Sequence, residues 1–357
     1  VAALLTTLMG DRAGRRRVLM LLALAGAVGT AVVAFATDPV LLGVAAFFGM
    51  LNGMGRDRGA SMILDQVVLP ATTTDRTRTA AFAKYNVAQD AGHALGSLLA
   101  GLPALARSAF PIGETESLRL GVLLTALLLL ATAILYRGLS AAVESEDGRR
   151  RITLSPSSRR IVTRISALFA LDGIGGGFLT TALLSFFFYE RFGVGEGVIG
   201  VLFFGARVMN AFSHLGAAWL ARRIGLVNTM VFTHIPSSLL LVTVSIAPSF
   251  AVAAALFLLR EGLVEMDVPT RQSYVMAVVA PEERTVASGV THLVRLGAWA
   301  VAPAFAGLVM RGGSIAAPLW IGAGMKIAYD VLLYAAFRSV RPPEEREAAS
   351  AATVESS

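Results

Sequence analysis

Residues 18–37 form a run of 20 residues without one charge, closed by Asp38-Pro39, and comparable apolar stretches recur along the whole chain. About 20 residues at 1.5 Å each span the hydrocarbon of a bilayer as a helix. Inside lipid the backbone has to satisfy its own hydrogen bonds, so stretches of this length read as helices rather than barrel strands. The predicted spans are 18–37, 40–70, 79–103, 120–136, 161–190, 196–221, 226–246, 250–278, 283–310 and 316–337, with residues 1–9 as the remnant of one more. Composition supports this reading, with 55% hydrophobic and only 15% charged residues in 357. That is far from the roughly one quarter charged residues of a soluble domain. The chain has no cysteine, which excludes disulfides, cysteine-ligated zinc and thiol chemistry. The fold class is therefore all-α, a polytopic membrane protein.

The net charge of +7 does not point to nucleic acid, because the arginines sort by loop. If the loop Gly10–Arg17 is cytoplasmic, 20 loop arginines fall on its side, among them Arg12, Arg15, Arg16, Arg17, Arg76, Arg78, Arg222, Arg223, Arg271 and Arg284. Only Arg107, Arg119, Arg191 and Arg311 fall opposite. This places the linker and the C-terminus in the cytoplasm and the chain in a cell membrane, expected to be a prokaryotic plasma (inner) membrane. The expected organisation is a helix bundle over 1–140, a polar linker at 141–160, a second bundle over 161–340 and a disordered tail at 341–357.

The two bundles look duplicated. Gly14 in Asp-Arg-Ala-Gly and Gly225 in Arg-Arg-Ile-Gly stand 211 positions apart, as do Pro70 and Pro281. Pro39 and Pro248 occupy short turns, Arg78-Thr79 and Arg284-Thr285 open helices, and Gly101-Leu102 and Gly307-Leu308 end them. Five matches in order imply two parallel halves, an arrangement that transporters use to hold a site near the bilayer midplane.

The loop Gly10-Asp11-Arg12-Ala13-Gly14-Arg15-Arg16-Arg17 resembles the signature of the major facilitator superfamily, G-x-x-x-D-R-x-G-R-R/K, with Thr7 at the leading glycine. Arg222-Arg223-Ile224-Gly225 is similar to its degenerate second copy. The resemblance covers essentially the whole chain. It implies twelve helices in two pseudo-symmetric bundles, of which the first and most of the second would precede Val1. It also implies that Asp11, Arg12, Gly14, Arg15 and Arg16 gate the change between access states, with Asp11 meeting an arginine or a helix N-terminus of the other half. The run Gly92-His93-Ala94-Leu95-Gly96-Ser97 departs from the family's antiporter signature in lacking its proline.

Ionisable residues at membrane depth are costly and mark function by default. Asp90, Gln89 and His93 lie mid-helix in the third span, Asp172 in the fifth, Arg207 in the sixth, Arg295 in the ninth and Lys326 in the tenth. The eighth carries Arg260, Glu261, Glu265 and Asp267, with Glu261 and Glu265 predicted to share a face at i,i+4. Arg56, Asp57, Arg58 and Asp65 lie in the second. The candidate substrate and proton-coupling residues are Asp90, Gln89, His93, Asp172, Arg207, Arg260, Glu261, Glu265, Arg295 and Lys326, lining a polar cavity. A carboxylate taken out of water favours its protonated form, as proton coupling requires.

His214, His234 and His292 lack ligand spacing, so no metal is expected. Gly173-Ile174-Gly175-Gly176-Gly177 has no strand before it, so it reads as close packing or a bend rather than a nucleotide loop. No cofactor is expected; an ion gradient, that of protons, would supply the energy. The predicted function is secondary active transport of a small-molecule substrate by alternating access, with efflux as one direction, by a monomer in the lipid bilayer that is not an enzyme. The alternative is a non-transporting sensor or scaffold of the same fold.

Overall fold

The computed structural model describes residues 2–51, 60–99, 102–144, 154–312, 314–340, 342, 343 and 345. Arg56, Asp57 and Arg58, most of the linker and nearly all of the tail lie outside them. Regular structure among the described residues is entirely helical. Seven segments are long and apolar enough to cross a membrane, including 156–192 taken as one. The other three expected spans take a different form. The described residues of 40–70 contain two shorter helices, α3 (Pro39–Phe48) and α4 (Ser61–Ala71). Residues 250–278 divide into α12 (Phe250–Val264) and α13 (Asp267–Ala277). The remaining one, α5 (Asp75–Leu99), is long but polar, carrying Asp75, Arg76, Arg78, Lys84 and Asp90. A continuous apolar helix cannot accommodate that many charges, so these spans break or pack their charges inward.

Two compact units form, Val1–Thr72 with Ala91–Ile152, and Thr73–Asp90 with Thr153–Ser357. The first contains α1 (Ala2–Ala13), α2 (Arg15–Phe35), α3, α4, α6 (Leu102–Ala109) and α7 (Glu114–Arg137). Helix α2 lies between α7 and α3. Against α3 the backbones nearly touch, since a Cβ on Gly29 would stand 2.5 Å from Gly49 Cα. The second unit contains α8 (Pro156–Gly177), α9 (Thr181–Phe192), α10 (Glu196–Ile224), α11 (Leu226–Ser245), α12, α13, α14 (Arg284–Gly312) and α15 (Ala317–Phe337), together with the first sixteen residues of α5. Its apolar core joins α9, α10, α11, α12 and α15 around Phe187, Phe188, Leu241, Phe257 and Leu319. Phe188 meets Phe257 edge-on at 5.4 Å.

The expected duplication is visible at one device in detail. Gly14 and Gly225 both adopt left-handed φ, +88° and +87°, which glycine reaches without a Cβ penalty. Each opens a helix whose first amides meet a distant carboxylate. Arg15 N and Arg16 N donate to Glu144 at 2.8 and 3.2 Å, and Leu226 N donates to Glu345 at 2.7 Å. Helix N-termini carry unpaired donors and a positive dipole end, so an acidic side chain satisfies both. Glu345 lies within 341–357, the segment expected to be disordered, and it meets the first amide of α11. The linker is also shorter than expected. Ser155 caps α8 with Pro156 at its first position, a favourable start that brings the helix forward to 156. Ser155 N donates to Glu283 at 2.5 Å.

Candidate transport site

Helix α8 runs Asp172-Gly173-Ile174-Gly175-Gly176-Gly177 and stops, and α9 resumes at Thr181. The glycines allow neighbouring helices to reach its backbone, as expected for close packing with a break. A Cβ on Gly173 would lie 2.7 Å from Arg295 O on α14. One on Gly177 would lie 2.5 Å from Ala302 Cβ, and one on Gly175 would press on Lys326 Cγ of α15 at 3.3 Å. The small residues therefore bring α14 and α15 up to the single carboxylate of the run.

Asp172, 1% exposed, is the centre of an ionic network. Its Oδ1 accepts from Lys326 Nζ at 2.8 Å. Its Oδ2 accepts from Arg295 Nε at 3.2 Å and from Arg271 Nη1 of α13 at 3.3 Å. Arg271 also pairs with Asp267, one helical turn back, and stacks over the Phe169 ring at 5.3 Å. On the far side, Lys326 Nζ stands 3.3 Å from His234 Nε2 of α11. His234 Nδ1 in turn lies 2.9 Å from Asp330, which is fully buried. Five helices thus contribute three carboxylates, three fixed cations and one imidazole. Buried charges persist only when paired and hydrogen-bonded, and each of these has such a partner.

A second polar contact set lies between α5, α10 and α13. Asp90 Oδ2 is 3.1 Å from His214 Nε2, and His214 Nδ1 is 3.1 Å from the Glu265 carbonyl. Asn86 donates to Gln272 at 2.8 Å, and Arg78 Nε and Thr79 Oγ1 donate to Ser273 at 3.0 and 2.8 Å. Asn210, fully buried on α10, has neither amide atom hydrogen-bonded among the described residues.

Of the sequence candidates, Asp172, Arg295 and Lys326 converge in the first network and Asp90 in the second. Gln89 donates to Tyr85 on its own helix at 3.1 Å. His93 falls in the first unit, and Arg207 sits partly exposed on α10 of the second. Arg260 pairs with its neighbour Glu261, both buried. Glu265 is the C-cap of α12, which ends at Val264. Arg271, counted from the sequence as a loop arginine, is a buried member of the network, 7% exposed. Asp330, His234 and His214 were missed; Lys326 and Asp330, like Asp267 and Arg271, stand at the i,i+4 spacing that could have flagged them. At the junction of α1 and α2, Asp11 in the last turn of α1 accepts from Arg15 Nε at 2.8 Å. Arg15 is 2% exposed and also donates to Val143 O at 3.2 Å, whereas Arg12 is exposed. The carboxylate at the α2 N-terminus is Glu144, from the same unit.

The family model of the Major Facilitator Superfamily matches residues 1–303. An uncharacterized membrane protein of Saccharomyces cerevisiae is 22% identical over 95% of this chain and 84% of its own length. Among solved structures, the human organic anion transporter MFSD10 superposes with a TM-score of 0.73 at 18% identity, over 93% of this chain and 80% of that one. The Escherichia coli fucose:proton symporter gives 0.70 at 13% identity, covering 93% and 85%. A bacterial homologue of the iron transporter ferroportin gives 0.66 at 16%, covering 93% and 86%. With a family match over most of its length and helices to suit, the chain is a multi-pass membrane protein belonging to the Major Facilitator Superfamily.

Proposed function

We propose that the protein is a secondary active transporter that moves a small solute by alternating access and couples that movement to protons. The carrying observation is Asp172, a buried carboxylate shared by Arg271, Arg295 and Lys326 from three helices. Charge at membrane depth is retained where it serves an ion or substrate pathway. A proton arriving on this network removes one negative charge, weakens the hold on three helices at once and so favours a different arrangement of them. The transporters that the chain resembles in structure are named for an organic anion, iron and fucose, so the solute has to be inferred from this chain's own residues.

The test is solute accumulation in proteoliposomes under an imposed pH gradient, screened over sugars, organic anions and organic cations. At least one class should accumulate with the wild type, and Asp172→Asn should abolish accumulation. Accumulation that ignores the pH gradient would refute coupling. Absence of flux for every class would favour the sensor or scaffold reading instead.

A further inference from the structure

A cavity of about 560 Å³ opens at the start of α8, lined among the described residues by Leu154, Pro156, Arg159, Arg160, Thr163 and Arg164. The Ser155 cap and proline at the first helical position fix this turn, so the arginines project from a regular helix. Residues three and four apart share a helix face, which gathers the three guanidiniums and the Thr163 hydroxyl on one side. All three arginines are exposed, and none of their side chains has a hydrogen bond or ion pair among the described residues. The carboxylate at this helix start, Glu283, accepts from Ser155 N and Oγ instead. Like charges on one face repel, Arg160 and Arg164 most directly at i,i+4, so the cluster costs helix stability unless an anion sits among them.

Depth in the membrane identifies that anion. The apolar segment 156–192 has residue 174 at its centre. At 1.5 Å per residue, Arg164 lies about 15 Å from this centre, and Arg160 and Arg159 about 21–23 Å. The hydrocarbon of a bilayer reaches about 15 Å from the midplane and the headgroup layer about 20–22 Å. Arg164 thus stands at the hydrocarbon edge, and Arg159 and Arg160 stand among the headgroups of the leaflet on the linker side. The anion abundant at that level is a lipid phosphodiester, whose oxygens suit guanidinium forks.

We propose that Arg159, Arg160 and Arg164 form a binding site for the headgroup of an anionic phospholipid, which clamps the start of the helix that carries Asp172. The site stands whether or not the protein transports.

Native mass spectrometry of the purified protein in nonionic detergent counts the lipid it retains. The probes are dioctanoyl phosphatidylglycerol, zwitterionic dioctanoyl phosphatidylcholine, and glycerol 3-phosphate, which has the phosphate without acyl chains. Phosphatidylglycerol should bind about tenfold or more tighter than either of the others. Arg159→Gln, Arg160→Gln or Arg164→Gln alone should weaken it about fivefold, and the three together about a hundredfold, the effect of arginines at a membrane surface. The single variants decide the matter if the triple variant does not fold. Arg222→Gln with Arg223→Gln, which removes an exposed basic pair at the end of α10, should leave the affinity unchanged. Equal binding of phosphatidylcholine, or as large a loss from the Arg222 and Arg223 pair as from the triple variant, overturns the proposal. Glycerol 3-phosphate binding as tightly as phosphatidylglycerol overturns it too, because the ligand is then a soluble phosphate.

Discussion

Replacing Asp172 by Asn preserves the shape of α8 but removes the charge on which three cations converge. The loss is unequal among them. Arg271 retains Asp267, and Arg295, nearly half exposed, retains water. Lys326 is 10% exposed and would keep only His234 Nε2 at 3.3 Å. At 2.8 Å the Asp172–Lys326 attraction is about 6 kcal/mol for an effective dielectric of 20, and it offsets a desolvation cost of several kcal/mol per ion. Leaving one partner of such a pair alone costs about 3–5 kcal/mol, whereas removing both is often close to neutral. Asp172→Asn should therefore lower the unfolding free energy in mixed micelles by about 3–5 kcal/mol. Asp172→Asn combined with Lys326→Met should recover most of it. All three tryptophans, Trp219, Trp299 and Trp320, lie in the second unit, so their fluorescence during a detergent titration reports that unit directly. A single substitution costing under about 1 kcal/mol, or a double variant no better than the single, would refute the pairing scheme.

Gly177→Val should destabilise the second unit by about 1–3 kcal/mol or more, because its Cβ would stand 2.5 Å from Ala302 Cβ; thermal melting checks this. Glu144→Ala and Glu345→Ala should each cost about 1 kcal/mol as lost helix caps. Their effects should add, since the residues lie in different units, and melts of the single and double variants decide it. Asp90→Asn retains the volume of the buried group beside His214 but not its charge, and it should impair uphill transport in proteoliposomes while leaving the melting temperature within a few degrees.

The spans and the class were legible because bilayer thickness imposes a length that an apolar run either meets or does not. Gly14 and Gly225 were legible as a repeat because a helix junction at positive φ calls for glycine wherever it recurs. The glycine run of α8 announced close approach but not what approaches. Asp172 binds residues 99, 123 and 154 positions away, and no local pattern carries that pairing. Arg271 was counted with the cytoplasmic loop arginines, near the end of the span expected over 250–278, and nothing in its immediate sequence announces its burial. The division of α12 from α13 at Glu265 has a local signal that reading 250–278 as one span passed over: Gly262 and Pro269 flank it, and Pro269 has no N–H to offer the Glu265 carbonyl. Burial of Asp330 and His234 depends on α11 and α15 packing together, a tertiary fact.

The central claim is that solute and proton cross together through the Asp172 network. The most direct test imposes an inward gradient of the solute that the accumulation screen identifies on proteoliposomes containing a trapped pH dye, with protein-free vesicles as the baseline. The account expects the wild-type lumen to acidify well above that baseline and Asp172→Asn vesicles to match it. Entry of that solute, radiolabelled, through the wild-type protein, with lumenal pH no different from protein-free vesicles, would contradict it.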